Sequence, residues 1–293
     1  MNNPTPVFHA LRPRLQSIAY RMLGTSAEAE EVVQDAWLRW HEAPHGALDS
    51  AEAWLVAVTT RLAIDRLRAA KVQRAHYTGI WLPEPLLSDD PASPEQLLDR
   101  AQDISLAFMR LLERLSPEAR AAFLLHEIFD VDYRDMAQML DKSEAACRQQ
   151  VHRARLQLRE EKARYAVPAE THRRLLGHLA QAMTQGDMPA LRAVLDEDVE
   201  LLSDGGGKVP SFGKPLWGRQ RVAQLFLAAF RRHGPNLRIE MVRLNGEWGL
   251  LRFMDGVLES ALVFETDGAV IVRILVQRNP DKLALIARHC DAR

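Results

Sequence analysis

The stretch Tyr133–Arg159 decides the fold of its part of the chain, and it reads YRDMAQML-DKSEAA-CRQQVHRARLQLR. The first eight residues have the apolar spacing of a short amphipathic helix, and the next six break that pattern. Ser143 can then cap a second helix by accepting a backbone N–H. The apolar residues of the second helix recur at steps of four, three and four, which predicts one buried face: Cys147, Val151, Ala154 and Leu158.

The other face of this second helix is rich in hydrogen-bond donors: Arg148, Gln149, His152, Arg153 and Arg155, with Lys142 in the preceding turn. No acidic residue lies among them. A short helix, a tight turn and a helix with a basic, amide-bearing face resemble a helix-turn-helix, whose second helix enters the major groove of DNA. Arginine can bond guanine or a phosphate, and glutamine can pair with adenine. The alternative is a helical hairpin with a solvated charged face.

Length and composition limit the possible functions. A chain of 293 residues predicts two or three domains. Because 38 Lys and Arg residues face 39 Asp and Glu residues, a histone-like nonspecific binder is excluded. Cys147 and Cys290 form neither a disulfide framework nor a metal-type spacing. Without a signal peptide or an apolar membrane-spanning run, we expect a soluble, cytoplasmic protein with no cofactor and no membrane partner.

Residues 1–75 are predicted to form an all-α domain. The periodicity of the apolar residues indicates three helices, the first of which ends at Gly24. The second helix has an acidic first turn, which suits the positive end of its dipole. The third helix begins near Ala53, and its second half is basic on the outward side.

Residues 76–103 differ in composition from the helical segments on either side. Four prolines exclude a regular helix, and six acidic residues face one arginine, which is typical of an acidic, extended linker. The piece Ile80–Pro85 is apolar, so we expect it to dock on another part of the protein. Helices resume over residues 104–165, where Ser116-Pro117 begins the capped helix that leads to the helix-turn-helix.

Residues 168–293 are predicted to form an α+β domain. An amphipathic helix over 171–186, a short helix, a strand and a helix over 219–232 come first. Four strands follow and make a curved antiparallel sheet. The signals for this meander are three hairpin dipeptides between the strands: Asn245-Gly246, Asp255-Gly256 and Asp267-Gly268.

The two helical domains resemble bacterial sigma factors of the extracytoplasmic-function (ECF) group. The resemblance covers residues 7–165 and rests on four segments: EVVQDAWLR (31–39), AIDRLR (63–68), LSPE (115–118) and HRAR (152–155). It implies a transcription initiation factor that carries RNA polymerase to promoters. In that case residues 1–75 are sigma region 2, and residues 104–165 are sigma region 4.

The same resemblance implies binding roles for three segments. The segment like Glu31–Trp40 docks on core RNA polymerase, through Glu31, Gln34, Asp35 and Leu38. The segment like Thr59–Lys71 opens and reads the −10 element of promoter DNA, through Thr59, Arg61, Arg66 and Arg68. The helix Ser143–Arg159 reads the −35 element, and its candidate contacts are Lys142, Arg148, Gln149, His152, Arg153 and Arg155. Family members often carry an asparagine where Arg61 falls, which leaves the −10 base preference open.

The third domain resembles the SnoaL-like cone fold of the nuclear-transport-factor-2 superfamily. Three motifs match a subgroup of sigma factors with this extension: WLPEP (81–85), DGGGK (204–208) and NPDKL (279–283). The resemblance implies regulation of the sigma part in cis, in place of a separate anti-sigma protein. We expect Trp81 and Leu82 to pack against the other two motifs. The predicted regulatory residues are Trp81, Leu82, Pro83, Glu84, Asp204, Gly205, Gly206, Gly207, Lys208, Asn279, Pro280, Asp281, Lys282 and Leu283.

Two other functions stay open at this point. One is a ligand-sensing, DNA-binding regulator that does not require polymerase docking, and the other is an enzyme with an accessory DNA-binding segment. Cone-fold enzymes use a carboxylate or a His–Asp pair, but Asp204 and His178 have no evident acid–base partner in the sequence, so no catalytic residue is predicted. Four aromatic residues can either line a cavity for a small ligand or fill the core: Trp217, Phe226, Trp248 and Phe264.

Overall fold

The computed structural model describes most of the chain: residues 5–45, 48–74, 76–88, 104–162 and 167–291. The chain forms two compact units. The first contains Met1–His76 and Leu111–Glu160, and the second contains Tyr77–Arg110 and Glu161–Arg293. The two predicted helical domains therefore contribute to a single unit. None of the helices in the described ranges is long and apolar enough to cross a membrane.

The first unit begins with the three predicted helices: α1 (Thr5–Leu23), α2 (Ser26–Glu42) and α3 (Ala51–Arg74). Gly24 ends α1 with a φ of 83°, a left-handed conformation that glycine adopts without strain. Its N–H donates to Tyr20 O at 2.7 Å. At the start of α3, Ser50 Oγ accepts the N–H of Ala53 at 3.2 Å, which satisfies one of the free donors of the first turn.

Four helices follow in the second part of the sigma-like sequence: α4 (Leu106–Leu112), α5 (Pro117–Glu127), α6 (Tyr133–Leu140) and α7 (Glu144–Lys162). Ser116 caps α5 and Asp132 caps α6, each accepting a backbone N–H three residues later. Ser143 caps α7 in the same way, as predicted. Asp141 turns the chain between α6 and α7 with a left-handed φ of 53°. The helix-turn-helix is therefore α6–turn–α7.

Helix α3 is in contact with helices from both sigma-like segments. It packs against α1 and α2 and also against α5 and α6. Thr59 and Thr60, in its middle, are completely buried. The basic half of α3 is therefore adjacent to the helix-turn-helix in this structure.

The second unit combines helices and one sheet: α8 (Ala169–Gln185), α9 (Met188–Ala193), β1 (Leu195–Asp204), β2 (Leu216–Trp217), α10 (Arg219–His233), a 3-10 turn (Gly234–Asn236), β3 (Leu237–Leu244), β4 (Glu247–Met254), β5 (Val257–Thr266), β6 (Ile271–Gln277) and α11 (Pro280–Asp291). Gly186 ends α8 in a left-handed conformation, as predicted. A Cβ at Gly186 would lie 2.3 Å from the Phe230 ring, so the close approach of α10 also requires glycine.

The sheet is open and mixed, with the strand order β2-β1-β6-β5-β4-β3. Strands β3 to β6 form the predicted antiparallel meander. The prediction of a purely antiparallel sheet is wrong, because β1 runs parallel to β6, with Leu201 opposite Ile274. A parallel partner lies far away in sequence, across a connection, so no turn dipeptide marks it.

The two faces of the sheet are covered by different elements, since neighbouring strand residues point to opposite faces. Phe264 lies on the face that packs against α8, α9 and α10. Val263 lies on the other face, in a second core that also contains Leu82 and Leu283. The apolar piece of the predicted linker is therefore part of a core of the second unit. The acidic piece of that linker, residues 89–103, lies outside the described residues.

Candidate functional site

The outer face of α7 is open to solvent. Gln149, His152 and Arg153 are exposed, and within the described ranges none of them makes a side-chain hydrogen bond or ion pair. The predicted apolar face is buried on the opposite side: Cys147, Val151, Ala154 and Leu158. The predicted division of this helix into a buried and a polar face is confirmed.

Two arginines of α7 are held by carboxylates. Arg148 Nη2 donates to Glu144 Oε2 at 2.7 Å, one turn earlier, and its guanidinium lies 5.1 Å from the centre of the Tyr133 ring. Arg155 Nε donates to Glu127 Oε1 of α5 at 3.0 Å. The expectation that this face has no acidic counterpart is therefore wrong, since the partners come from the first turn of α7 and from another helix. Such exposed pairs are weak and can be exchanged for phosphate contacts.

The basic half of α3 is bonded to α5 and α6. Arg61 Nε donates to Met139 O at 2.7 Å, and Arg61 Nη2 donates to Gln138 O at 3.0 Å. These carbonyls belong to the last turn of α6, where a helix leaves acceptors unpaired and its dipole favours a cation. Thr59 is completely buried, and its Oγ1 has no hydrogen-bond partner among the described residues. Of the predicted −10 contacts, Thr59 is therefore buried, and Arg61 is exposed but already hydrogen-bonded to α6.

A third predicted −10 contact, Arg68, is paired with Glu118 at the start of α5. Its Nε and Nη2 donate to Glu118 Oε1 at 2.9 and 2.6 Å, and its Nη1 donates to Asp65 at 3.0 Å. Burial alone would raise the pKa of Glu118, but hydrogen bonds from its own backbone N–H and from Arg68 hold this pKa below its usual range. Both partners keep solvent contact, so the pair is screened. Lys142 is exposed beside the same recess, which Arg61 and Arg68 also line.

The predicted polymerase-docking face lies on α2. Glu31 and Asp35 both face Arg66 of α3, whose guanidinium nitrogens lie 2.7 and 3.6 Å from their carboxylate oxygens. Arg66, predicted to contact DNA, is thus engaged with residues predicted to contact polymerase. Gln34 is exposed and donates weakly to Glu30 at 3.4 Å. Leu38 is 62% exposed, so its side chain is accessible to a partner.

Arg120 joins the two sigma-like segments within the first unit. It is 2% exposed and donates to Met22 O at the end of α1 at 2.7 Å, to Leu112 O at 3.0 Å and to Glu113 at 2.7 Å. Burial lowers the pKa of Arg120, while Glu113 opposes that shift. The sequence analysis did not find this residue, because an arginine in the middle of an amphipathic helix looks like a solvated one.

In the second unit, a buried carboxylate binds the segment that follows α3. Asp204 at the end of β1 is completely buried. Its Oδ1 accepts the Tyr77 hydroxyl at 2.6 Å, and its Oδ2 accepts the Leu82 N–H at 2.9 Å and Lys282 Nζ at 2.8 Å. We call this buried network the linker latch, and define it as Tyr77, Leu82, Asp204, Gln277 and Lys282.

Lys282 and Gln277 complete the latch from the C-terminal side. Lys282 Nζ donates to Leu82 O at 2.6 Å and lies 4.3 Å from the centre of the Trp81 ring. Gln277 Nε2 donates to Leu82 O at 3.3 Å and to Pro83 O at 3.2 Å. Both the N–H and the carbonyl of Leu82 are therefore bonded to buried side chains. Removing one partner of a buried ion pair of this kind strongly destabilises the fold, because the other charge stays buried without compensation.

Tyr77 closes the latch on its outer side. Burial, together with the hydrogen bond to Asp204, raises the pKa of Tyr77 well above its usual value, so its hydroxyl stays a donor. Asn279 Nδ2 donates to the Tyr77 hydroxyl oxygen at 3.2 Å. Tyr77 lies just before the WLPEP motif and was missed, because a single tyrosine in a linker carries no spacing signal.

The glycine run beside Asp204 brings its backbone close to the linker. Gly206 has a φ of 63°, and a Cβ there would lie 2.4 Å from the Asn279 side chain. A Cβ at Gly207 would lie 3.2 Å from Thr78. Lys208, the last residue of the motif, makes an exposed ion pair with Asp281 at 2.6 Å. The predicted motifs DGGGK and NPDKL are therefore brought together, and both contact residues 77–83.

The remaining described part of the linker follows the sheet to the β3–β4 turn. Leu86 exchanges two hydrogen bonds with Asn245, at 3.0 and 2.9 Å. Ser88 Oγ accepts the N–H of Gly246 at 2.8 Å. Glu84 of the WLPEP motif is buried, and Pro280 begins α11. Asn245 was interpreted only as a turn residue, and its second role depends on a segment that the sequence places far away.

Comparison with known proteins first gives the class. The Sigma-70 region 2 family model matches residues 7–72, and the Sigma-70, region 4 model matches residues 105–158. The second match contains the helix-turn-helix, and the first contains α2 and nearly all of α3. This combination defines a sigma factor.

Whole-chain relatives then give the group. ECF RNA polymerase sigma factor SigJ of Mycobacterium tuberculosis (strain H37Rv) is 39% identical over 246 residues, which cover 83% of this chain and 78% of the relative. The probable ECF RNA polymerase sigma factor SigI of the same strain is 31% identical over 281 residues, 94% of this chain and 93% of the relative. The chain belongs to the ECF RNA polymerase sigma factors.

A solved structure agrees with the fold along nearly the whole chain. The crystal structure of M. tuberculosis SigJ aligns with a TM-score of 0.76 and 33% identity, and the alignment covers 96% of this chain and 98% of that one. The predicted family and the predicted fold class, two helical sigma regions followed by an α+β domain, are confirmed, apart from the mixed sheet. The family consists of transcription initiation factors and not of enzymes. Among the described residues, no cluster of His, Cys, Asp and Glu side chains is arranged to hold a metal ion.

Proposed function

We propose that this chain carries core RNA polymerase to promoters and reads them with two separate helices. Helix α2 docks on the polymerase through Glu31, Gln34, Asp35 and Leu38, and α7 reads the −35 element through Arg148, Gln149, His152, Arg153 and Arg155, with Lys142 beside it. The observation that carries this proposal is the solvent-exposed polar face of α7 in a chain that also presents Leu38. The match of residues 7–72, which contain α2, to the Sigma-70 region 2 model supports polymerase docking over a regulator that binds DNA alone.

The predicted −10 contacts of α3 are either buried or already bonded in the same unit, and we infer that they must be released before they can bind DNA. Thr59 is buried, and Arg61 and Arg68 are bonded to α6 and α5. Both arginine contacts join region 2 to region 4. Promoter opening therefore requires α3 to separate from α5 and α6, and the free protein is held in a closed state.

The C-terminal domain regulates this step through the linker. Residues 77–88 are held by the linker latch and by Asn245, and residues up to Arg110 belong to the same unit. The connection between α3 and α5 is thus fastened near both of its ends. Fastening limits how far regions 2 and 4 can separate, because only a few residues lie between Arg74 of α3 and Tyr77 and between Arg110 and the start of α5. The domain would act in cis where other sigma factors need a partner protein.

A small ligand for the SnoaL-like domain receives less support. Of the four aromatic residues considered as cavity-lining, Phe226 and Phe264 are each 1% exposed and lie within one packed core. Trp248 packs against that core, and Trp217 is 52% exposed. This placement favours the core-filling alternative. The latch itself supplies a regulatory contact without a ligand.

Transcription in vitro tests the proposal. Full-length protein and core polymerase are added to a promoter fragment selected with the same holoenzyme, and transcripts are compared with binding to the fragment without polymerase. We expect transcripts only when both proteins are present. Lys282→Ala should change transcript yield several-fold, whereas Lys208→Ala, which removes an equal charge from an exposed pair, should not. Sequence-specific binding with no polymerase-dependent transcript would support a polymerase-independent regulator instead.

A further inference from the structure

The first unit contains a basic cleft of about 670 Å³, and of its lining residues only Arg153 is among the proposed DNA contacts. The last turns of α3, the start of α5 and the middle of α7 form its walls. We call it the α3–α5–α7 cleft. Five cationic side chains line it: Lys71, Arg74, Arg114, Arg120 and Arg153.

The positive charge of this cleft is only partly neutralised. Among its described lining residues, Glu113 is the one carboxylate, and Arg74 and Arg120 both donate to it. Lys71 and Arg153 have no ion-pair partner within the described part of the chain. Excess charge in a concave site with protein walls gives a focused potential that attracts anions.

The cleft has two further features, a helix N-terminus and an unpaired acceptor. Ser116 and Pro117 are the cap and the first residue of α5, and this 11-residue helix directs its positive end at the cleft. Gln150 Oε1 is a buried acceptor with no hydrogen-bond partner in the described structure. The cleft therefore offers separated cations for an anion and one acceptor for a donor group.

We propose that the α3–α5–α7 cleft binds an oligophosphate, either inorganic or the phosphate chain of a nucleotide. Lys71 on α3 and Arg153 on α7 lie on different walls, so a chain of phosphates can contact both, whereas a single small anion cannot fill the volume. The ribose or base of a nucleotide could donate to Gln150 Oε1. This binding claim does not depend on the proposed function.

Binding in this cleft would favour the closed first unit. The ligand would connect α3 with α5 and α7, and a ligand that binds only the closed arrangement stabilises it by mass action. It would thereby oppose release of the predicted −10 contacts of α3. This consequence for transcription rests on the proposed function, but the binding measurement does not.

Isothermal titration calorimetry of the full-length protein with sodium tripolyphosphate is the test, with sodium sulfate at matched ionic strength as the reference anion. We expect one saturable site for tripolyphosphate and none for sulfate. Lys71→Gln and Arg153→Gln should each weaken binding about tenfold, the effect of losing one charge-assisted contact. Arg134→Gln removes the same charge from α6 outside the cleft and should leave the affinity unchanged. Unchanged circular dichroism checks that each variant is folded.

Comparison of tripolyphosphate with GTP assigns the source of the phosphate chain. If GTP binds more tightly than tripolyphosphate and Gln150→Ala abolishes that difference, the ligand is a nucleotide. If the two ligands bind with equal affinity and Gln150→Ala does not alter it, the ligand is an inorganic oligophosphate. Either result supports the site. The proposal is overturned if tripolyphosphate shows no saturable binding, if sulfate binds equally well, or if Arg134→Gln weakens binding as much as Lys71→Gln. It is also overturned if duplex DNA alone binds in a Lys71-dependent manner.

Discussion

The two helices with the predicted DNA contacts differ in how available those contacts are. On α7, Gln149, His152 and Arg153 face solvent. On α3, Thr59 is buried and Arg61 donates to the backbone of α6. Three predicted contacts of α7 are therefore open and its other two arginines are held by carboxylates, whereas the contacts of α3 are buried or bonded to region 4. We therefore propose that control of this sigma factor acts on the exposure of region 2, while the −35 reader stays available.

The largest effect is expected at the linker latch. Lys282→Ala leaves Asp204 as a buried carboxylate without its cation, which should destabilise the second unit by about 3–5 kcal/mol. The thermal unfolding temperature should fall, and limited proteolysis should cut the chain between residues 77 and 88. If the latch controls the difference in exposure between α3 and α7, the Lys282→Ala variant should make α3 more accessible to solvent and leave the exposure of α7 unchanged.

Lys208→Ala is the matched control for that prediction. It removes the same type of charge from an ion pair with Asp281 in which both side chains are more than half exposed. Because exposed pairs contribute little, stability and protease resistance should stay close to those of the unmodified protein. Equal losses in the two variants would show that the latch has no special role.

The next effect is expected at Arg120, which fastens region 4 to the end of α1. Arg120→Ala leaves Met22 O and Leu112 O without their donor and should cost about 2–4 kcal/mol. The first unit should unfold at lower urea concentration. A cysteine introduced in α3 should also react faster with a thiol reagent at urea concentrations below the global unfolding transition. The same unfolding curve with and without Arg120 would contradict the role assigned to this contact.

A smaller effect distinguishes the engaged contacts of α3 from the exposed contacts of α7. Arg61→Ala removes two hydrogen bonds to the last turn of α6 and should reduce the free energy of unfolding by about 1–3 kcal/mol. Gln149→Ala should leave stability nearly unchanged but weaken binding of the holoenzyme to its −35 element by about 1–3 kcal/mol. Urea unfolding and promoter binding, measured on both variants, check this contrast. A stability loss of equal size for Gln149→Ala would show that the face of α7 is not free.

The smallest effect depends on pH. Because the pKa of Glu118 is lowered in the folded protein, its pair with Arg68 stabilises the closed unit above the usual carboxyl range, and this contribution disappears as pH falls through the lowered pKa. Solvent screening keeps the effect small. Unfolding of Glu118→Gln and of the unmodified protein should differ at neutral pH and converge on acidification. A difference in stability between the two proteins that does not change with pH would rule out titration of Glu118 as its cause.

Much of the fold could be predicted because its signals are local. Ser143 as a cap, the steps of four and three in α7, and Asn245-Gly246 as a turn each depend on a few neighbouring residues. The parallel pairing of β1 with β6 could not be predicted, because its two strands are distant in sequence and no short motif records their contact.

The site was predicted unevenly for the same reason. The WLPEP, DGGGK and NPDKL motifs were placed together by resemblance, and the structure brings Leu82, Asp204 and Lys282 into one buried network. Tyr77 and Gln277 carried no spacing signal and were missed. The sequence also cannot show that Arg61 is already bonded, since its acceptors are backbone carbonyls that any residue at those positions would supply.

The most direct test of the closed region 2 is thiol labelling of the free protein. In a Cys147→Ala, Cys290→Ser background, Thr59→Cys and Gln149→Cys are each reacted with a maleimide, and the rates are compared. The structure predicts that position 59 reacts at least about a hundredfold more slowly than position 149, because labelling there requires α3 to open. Adding Arg120→Ala should reduce the difference between the labelling rates at the two positions. Equal rates at the two positions in the otherwise unmodified protein would contradict the closed state.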